Sequence, residues 1–596
     1  MTGWRRLVLP PDGRAVLVEL LRPPPGAELV RGIATTFTLD LTSALTAPLS
    51  FASHRLGSGK DPEAIMQAIT MASDHLDIFC QAGQLNVPGS PSDVMAFLEK
   101  MVHPVRSPHA GGLFHPKIWL LEFSDGAETS FRLLCASRNL TSDRSWDVVV
   151  RLDGIRGSRP LTANKPLHDF ALALPTWAIP PLPAERTARI RGLADAVRYA
   201  AWERPDDVNE IIFHALGTTR RRSSLDFTGT RHLVISPFAT DDGLQHVAPP
   251  GSTSVQVISR GEDLDRLDPQ TLRRLTATYV IDDAAALEQA DDTATARKDL
   301  LAGLHAKTYI IEQGYGARLI LGSANATKAA FDGNIEFLVE LVGKKSRLGI
   351  DTLLGPDAPF RQMLADYPAL GGKLPGPGDE ADRLLEEALR SLAALDFSAA
   401  AARTDELYTM HITTSDPPQL GEKVTATVEL LTSPGDAARL QTPVDVTFPG
   451  IEMAYVTPFL VVRVTDARGE SRATVVLAAL TGDPPGRHDE LLARQIDTPE
   501  KFLRFLALML SLGDASGIAA FAGDGAGSAG WKVGQLGVFE TLVRALGTAP
   551  SVLADIAPLV ERLQRSEKGR LVLPEGFAEL WDLVWAARGQ LTEQAS

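Results

Sequence analysis

The stretch Gly303-Leu304-His305-Ala306-Lys307, followed by Leu321-Gly322-Ser323-Ala324-Asn325, decides how the rest of the chain is read. Histidine and lysine alternate on what reads as a strand, and residues two apart on a strand point to the same face. His305 and Lys307 therefore project together. Thr308-Tyr309-Ile310-Ile311 and Arg318-Leu319-Ile320-Leu321 read as a hairpin across Gly314-Tyr315-Gly316, and the return strand ends in a turn bearing a hydroxyl and a carboxamide. An earlier stretch repeats the arrangement: Phe114-His115-Pro116-Lys117, then Cys135-Ala136-Ser137-Arg138-Asn139. In the two copies Ser-x-Asn begins 20 and 16 residues beyond the lysine. Two copies of one polar constellation, each set among apolar strands, predict two half-sites that meet as one active site.

Working outward, the surroundings of the two copies repeat as well. Leu76-Asp77-Ile78-Phe79-Cys80 precedes the first copy as a buried-strand candidate, and Val148-Val149-Val150 closes it. Leu233-Val234-Ile235-Ser236-Pro237 and Val255-Gln256-Val257-Ile258 precede the second, and Phe337-Leu338-Val339-Glu340-Leu341 closes that one. Strand, helix, strand, His-x-Lys strand, hairpin return, Ser/Asn turn and final strand is the order in both, an internal duplication of α/β units about 150 residues long, a size at which a complete domain is expected. The predicted organisation is a first lobe over 1–155, a connector and helix over 156–205, and a second lobe over 206–345. A linker and helix over 346–400, a small β domain over 401–485 and a helical domain over 486–596 follow. The prolines of 156–185 predict an extended connector.

Composition narrows the class. With 44% hydrophobic and 22% charged residues the chain is that of a soluble globular protein, and its formal charge of −15 argues against a generally basic nucleic-acid coat protein while leaving room for a local basic cleft. Cys80 and Cys135, the two cysteines, lie in apolar strand-like runs and give neither a disulfide framework nor a thiolate zinc site. The N-terminus lacks the apolar core of a signal peptide, and the run from Phe502 to Leu512 is interrupted by Arg504 and too short to span a bilayer. A cytoplasmic protein without membrane association is expected.

Doubling the constellation places His115, Lys117, Ser137, Asn139, His305, Lys307, Ser323 and Asn325 around one point. The set has no cluster of carboxylates for a divalent metal, and no cofactor is expected. Such a pocket suits a phosphodiester: one histidine attacks phosphorus, the opposite one protonates the leaving oxygen, and lysine and asparagine donors neutralise the equatorial oxygens.

These residues resemble the phospholipase D superfamily, whose signature is H-x-K-x(4)-D followed by G-S-x-N. The second copy matches closely, and Asn334-Ile335-Glu336 stands where the family has a further Asn-x-Glu. In the first, Ala136 replaces the glycine, Arg138 replaces a small residue, and Ser145-Trp146-Asp147 takes the last position. Glu122 and Glu312 stand where the family has Asp, either in a supporting role or as strand-end charges. The resemblance spans roughly residues 30–345 and implies a pseudo-twofold pair of lobes with the site at their interface, His115 as nucleophile and His305 as general acid.

Glu336 and Asp147 are the candidates for orienting a histidine. Arg138 is read as a phosphate contact or a partner of Asp143, and Arg220-Arg221-Arg222 as a solvated loop or a backbone contact to nucleic acid. His54, His103 and His109 are expected at the surface. Within the superfamily the chain looks most like bacterial nucleases found with helicases or ATPases in restriction and phage-defence systems. That resemblance implies DNA as substrate, with RNA as the alternative, and a protein partner; a cytosolic lipid phosphodiesterase and an inactive scaffold are the competing classes. Oligomeric state is left open.

Overall fold

The structure, a computed structural model, describes residues 17–45, 73–89, 93–142, 145–218, 225–282, 303–374, 376–418, 424–488, 567–574 and 576–595, with isolated positions between them. His54, Asp143 and the Arg220-Arg222 run lie outside those residues. The fold is α/β, with two like lobes ahead of a β domain.

The first lobe is a seven-stranded sheet. Its strands are β1 (Glu28–Thr36), β2 (Leu76–Gln81), β3 (Val102–Val105), β4 (Ile118–Ser124), β5 (Thr129–Ala136), β6 (Val149–Arg156) and β7 (Ala200–Trp202), in the order β3-β2-β1-β4-β5-β6-β7. The second lobe has eight: β8 (Val208–Leu216), β9 (Arg231–Ile235), β10 (Ser254–Ile258), β11 (Ala277–Ile281), β12 (Thr308–Gln313), β13 (Gly316–Gly322), β14 (Glu336–Lys344) and β15 (Leu364–Asp366). In their order, β15-β11-β10-β9-β12-β13-β14-β8, the run β11 to β14 repeats the first sheet's β3 to β6, while β8, which opens the second lobe in sequence, lies where β7, the last strand of the first, lies, and β15 is added at the other edge. In each lobe three strands run parallel (β1 to β3; β9 to β11) and the rest pair antiparallel. The second lobe thus runs on to residue 366, past the boundary expected at 345. All six residues of β2 are buried, as befits a strand covered on both faces.

Residues 156–185 are not an extended connector. Helix α1 (Lys165–Trp177) begins with Pro166 in its first turn, where a missing N–H costs little, and contains Pro175. It buries Leu167, Phe170, Ala171, Leu174 and Trp177, a helical stripe. Burying Leu167, Phe170 and Leu174 at about 1.5–3 kcal/mol each outweighs the roughly 3 kcal/mol that an interior proline costs. Phe170 packs on Phe337 of the second lobe at 5.4 Å between ring centroids, and Trp177 on Phe114 of the first at 6.2 Å. One apolar core accordingly runs through both lobes, from Ile33 and Phe79 to Leu233, Ile310 and Phe337. Helix α2 (Ala184–Val197) follows, and β7 completes the first sheet.

Helix α3 (Pro377–Ala393) and two four-stranded sheets make the β domain, one sheet built on Phe397–Thr404 and Leu407–Thr414, the other on Val424–Leu430 and Phe459–Asp466. Leu385, Leu389 and Leu392 of α3 join its core, so this helix belongs to the β domain rather than to a linker. Further on, the structure describes the helix Phe577–Ala595 and a core that includes Phe502, Leu542, Leu553, Phe577 and Trp581. Among the described residues no helix is long and apolar enough to cross a membrane.

Candidate active site

The two His-x-Lys segments lie just ahead of β4 and β12 rather than within them, and each is pinned to the opposite lobe. Phe114 bridges Ile335, with the His115 N–H donating to the Ile335 carbonyl (2.9 Å) and the Ile335 N–H to that of Leu113 (2.8 Å). The pseudo-equivalent Leu304 bridges Trp146, where the His305 N–H donates to the Trp146 carbonyl (2.7 Å) and the Trp146 N–H to that of Gly303 (2.9 Å). Each lobe thus carries its histidine into the other along a short stretch of shared sheet.

The return strands β5 and β13 end beside these segments. The Ala136 N–H donates to the Lys117 carbonyl (2.9 Å) and the Gly322 N–H to that of Lys307 (3.3 Å). Ser137 and Ser323 are buried and brace the turns: the Val148 N–H donates to the Ser137 Oγ, the Phe337 N–H to the Ser323 Oγ. Gly322 has φ +153°, and a Cβ there would lie 2.3 Å from the Phe337 carbonyl oxygen, whereas the first lobe closes normally around Ala136. The Lys117 ammonium donates to the His115 carbonyl and the Lys307 ammonium to the His305 carbonyl, both at 2.9 Å. The carboxamide oxygens of Asn139 and Asn325 are both buried without a hydrogen-bond partner. Turned over, each amide presents its NH₂ to a bound anion.

The histidines differ in what holds Nδ1. In His115 it bonds Glu336 Oε2 of the other lobe at 2.9 Å, and Glu336, fully buried, also accepts from the Ser323 hydroxyl and from Asn334 Nδ2 (3.2 Å). In His305 Nδ1 lies between the main-chain carbonyl of Ser137, at 2.8 Å, and the Lys307 ammonium, at 3.3 Å. A carboxylate oxygen can only accept, so the His115 ring carries its proton on Nδ1 and leaves Nε2 with a lone pair, whereas the His305 Nδ1 faces both an acceptor and a donor. Asp147 is exposed and its charge reaches Lys307.

Two of the remaining expected site residues, Glu122 and Glu312, lie elsewhere. Glu122 and Glu312 are buried five residues along the strands from Lys117 and Lys307 and pair with Arg31 (2.7 Å) and Arg231 (2.9 Å), fastening β4 to β1 and β12 to β9. They are neither exposed strand ends nor pocket residues. Arg138 donates to the Thr141 carbonyl within its own turn at 2.9 Å. His103, expected at the surface, is buried against Asp77 at 2.8 Å, with Arg186 on the same carboxylate at 2.7 Å. His109 is half-buried and bonds the Gly217 carbonyl at 2.6 Å.

Sequence reasoning missed the residues at the carboxyl ends of the parallel strands. The Leu140 N–H donates to Thr36 Oγ1 (2.9 Å) and the Ala326 N–H to Ser236 Oγ (3.0 Å), so a strand-end hydroxyl fixes the residue after each asparagine. In equivalent places Gln81 accepts from the Phe114 N–H (2.7 Å), and Arg260 donates to the Leu304 carbonyl (3.2 Å). Laying one half of the sequence over the other would have brought out these positions, since they follow matched strands.

No protein-family model matches the sequence, and no curated protein matches it. Among solved structures the chain is similar to yeast tyrosyl-DNA phosphodiesterase, at TM-score 0.36 and 12% identity over 55% of this chain and 85% of that one. It is also similar to polyphosphate kinase from Porphyromonas gingivalis (TM-score 0.31, 11% identity, 63% and 50%) and to phosphatidylserine synthase from Haemophilus influenzae Rd KW20 (0.32, 13%, 63% and 91%). Likenesses at this level set no substrate; the chemistry rests on the residues of this chain.

Electrostatically the site holds two lysines and two histidines against the buried Glu336 carboxylate. Burial lowers His115 to about 4, with Glu336 opposing and Lys117 and Lys307 reinforcing the shift. Burial and the Lys307 and Lys117 charges lower His305 to about 2. Burial brings Lys117 down to about 7 against the pull of Glu336, and burial with the Lys117 charge holds Lys307 well below the usual lysine range. Burial pushes the Glu336 carboxyl up, but His115, Lys117 and Ser323 more than reverse this and hold it below its ordinary value. Burial is the first cause of each downward shift, and the negative charge of a phosphodiester favours the cationic forms.

Proposed function

We propose that the protein is a phosphodiesterase of the phospholipase D type that cleaves DNA through a phosphohistidine. The observation that carries this reading is the unequal treatment of two facing histidines. His115 has Nδ1–H held by a buried carboxylate, which raises the electron density of a ring whose Nε2 lone pair is free, the requirement for a nucleophile. Its Nε2 attacks phosphorus as the P–O bond to the leaving group breaks, and His305, protonated at Nε2 once the substrate's charge is in place, gives that proton to the departing oxygen. Water then attacks the same phosphorus, its proton passes to His305, and the P–N bond breaks to free His115. Lys117, Lys307 and the amides of Asn139 and Asn325 meet the charge on the non-bridging oxygens.

DNA is favoured over lipid by the sequence resemblance to defence nucleases. The same reading makes the chain the nuclease of an anti-phage system, beside a helicase or ATPase partner that brings the DNA affinity a chain of net charge −15 lacks. The test is incubation of the wild type, His115→Ala and His305→Ala with labelled DNA and with phospholipid vesicles in excess EDTA. DNA cleavage by the wild type, lost by about 10²–10⁴-fold or more in both variants, is the expected result. Head-group release from vesicles without DNA cleavage would place the enzyme among lipid phosphodiesterases, and no turnover of either would make it a scaffold. Full activity in either variant would sink the composite site.

A further inference from the structure

The pseudo-symmetry of the pocket fails at one rim position. After β1, the Thr36 hydroxyl donates to the Thr38 carbonyl (2.7 Å) and Leu39 bridges Leu140; after β9, the Ser236 hydroxyl donates to the Phe238 carbonyl (2.7 Å) and Ala239 bridges Ala326. Phe238 therefore stands where the first lobe has Thr38, whose hydroxyl is engaged with Gln84 at 3.2 Å. Phe238 is 42% exposed, and the Arg260 guanidinium lies over its ring at 4.8 Å from the centroid.

A lone exposed aromatic needs no explanation. This one is tied to the reacting groups by two routes. Arg260 donates to the carbonyl of Leu304, the neighbour of His305, and its charge reaches Lys307. Ser236, which fixes the Phe238 carbonyl, also fixes the turn after Asn325. The aromatic of the first lobe, Phe37, turns inward instead, edge-on to His115 at 5.1 Å and with the Lys117 ammonium over it at 5.9 Å.

We propose that Phe238, backed by Arg260, is a stacking platform for one nucleobase of an unpaired DNA strand, on the His305 side of the scissile phosphate. This rests on the phosphodiesterase reading above and deepens it to a substrate class. A ring that is open to solvent and backed by a guanidinium offers a π-face to any base, whereas a base within a duplex is already stacked on both sides. A platform on one side only also gives the bound strand a direction, with the stacked base next to the oxygen that His305 protonates. A lipid head group has no planar face to use it.

The test takes thymidylyl-thymidine, which has one phosphodiester and two bases, and its two analogues lacking one base, with the full-length wild type, Phe238→Ala and Phe238→Trp. The expected result is a KM for the parent compound about tenfold higher in Phe238→Ala, the scale of one base on one aromatic ring, and restored by Phe238→Trp. Removing the base next to the leaving oxygen should raise the wild-type KM by a similar factor and leave Phe238→Ala unaffected, because both changes delete one contact. Additive effects of the two changes, or an unchanged KM in Phe238→Ala, overturn the platform while leaving the phosphodiesterase reading in place. A wild type that hydrolyses bis(p-nitrophenyl) phosphate but no nucleotide substrate overturns the DNA reading and the platform with it.

Discussion

Glu336 is the residue on which the two halves of the chemistry turn, because it belongs to one lobe and serves the histidine of the other. In Glu336→Gln the amide keeps a hydrogen-bonding oxygen but loses the charge. We expect kcat to fall on the order of 10⁴-fold, the loss found when a catalytic histidine loses its orienting carboxylate, with KM changed less. The pH dependence follows from the signs of the shifts. The nucleophile must be neutral, and His115 at about 4 is neutral throughout the physiological range; Lys117 must be charged, and at about 7 it loses its proton as pH rises through neutrality. His305 must be protonated, and at about 2 in the free enzyme it takes its proton up with the substrate, so kcat/KM should fall as pH rises from about 4 and fall more steeply above about 7. Binding of a non-hydrolysable phosphodiester at pH 8 should take up protons, measurable by calorimetry in two buffers of different ionisation enthalpy. Proton release on binding would contradict the assignment.

At the scale of elements, strand ends do the positioning. β13 can reach β14 only without a side chain at 322, so Gly322→Ala should cost about 1–3 kcal/mol in denaturant unfolding and displace Ser323 from Glu336. Glu122→Gln, which leaves Arg31 without its charge partner, should cost a comparable amount while kcat per folded molecule stays unchanged. A large loss of kcat there would return Glu122 to the pocket. The duplication, both His-x-Lys pairs and both Ser-x-Asn turns were legible in the sequence because they are local patterns on regular strands. What was illegible came from partners distant in the chain. Glu122 looked like a strand-end charge because Arg31 is 91 residues away, and Gln81 and Arg260 carry no motif. α1 was hidden by its prolines, though its buried stripe keeps helical spacing.

At the scale of the whole molecule, the β domain is fastened to the first lobe. Glu99 is buried with Arg487 at 2.6 Å and accepts from Thr457 at 3.0 Å. The Thr474 hydroxyl donates to the Leu85 carbonyl at 2.9 Å, and Phe459, Val461 and Val475 pack into the core of Leu76, Ile78 and Leu121. A chain stopped at residue 374 would lay that apolar face bare and strand the Glu99 carboxyl, so size-exclusion chromatography should find it aggregated while the full chain is not. A soluble, active truncated chain would show the docking to be dispensable.

The segment joining these parts runs over the surface, with Leu370 and Leu374 exposed. Covalent continuity there is consequently not what keeps the molecule in one piece. A protease that nicks the segment should yield two bands on a denaturing gel from material that still elutes as a single particle and still turns over substrate, since the severed halves hold each other by the same buried contacts that held them when joined.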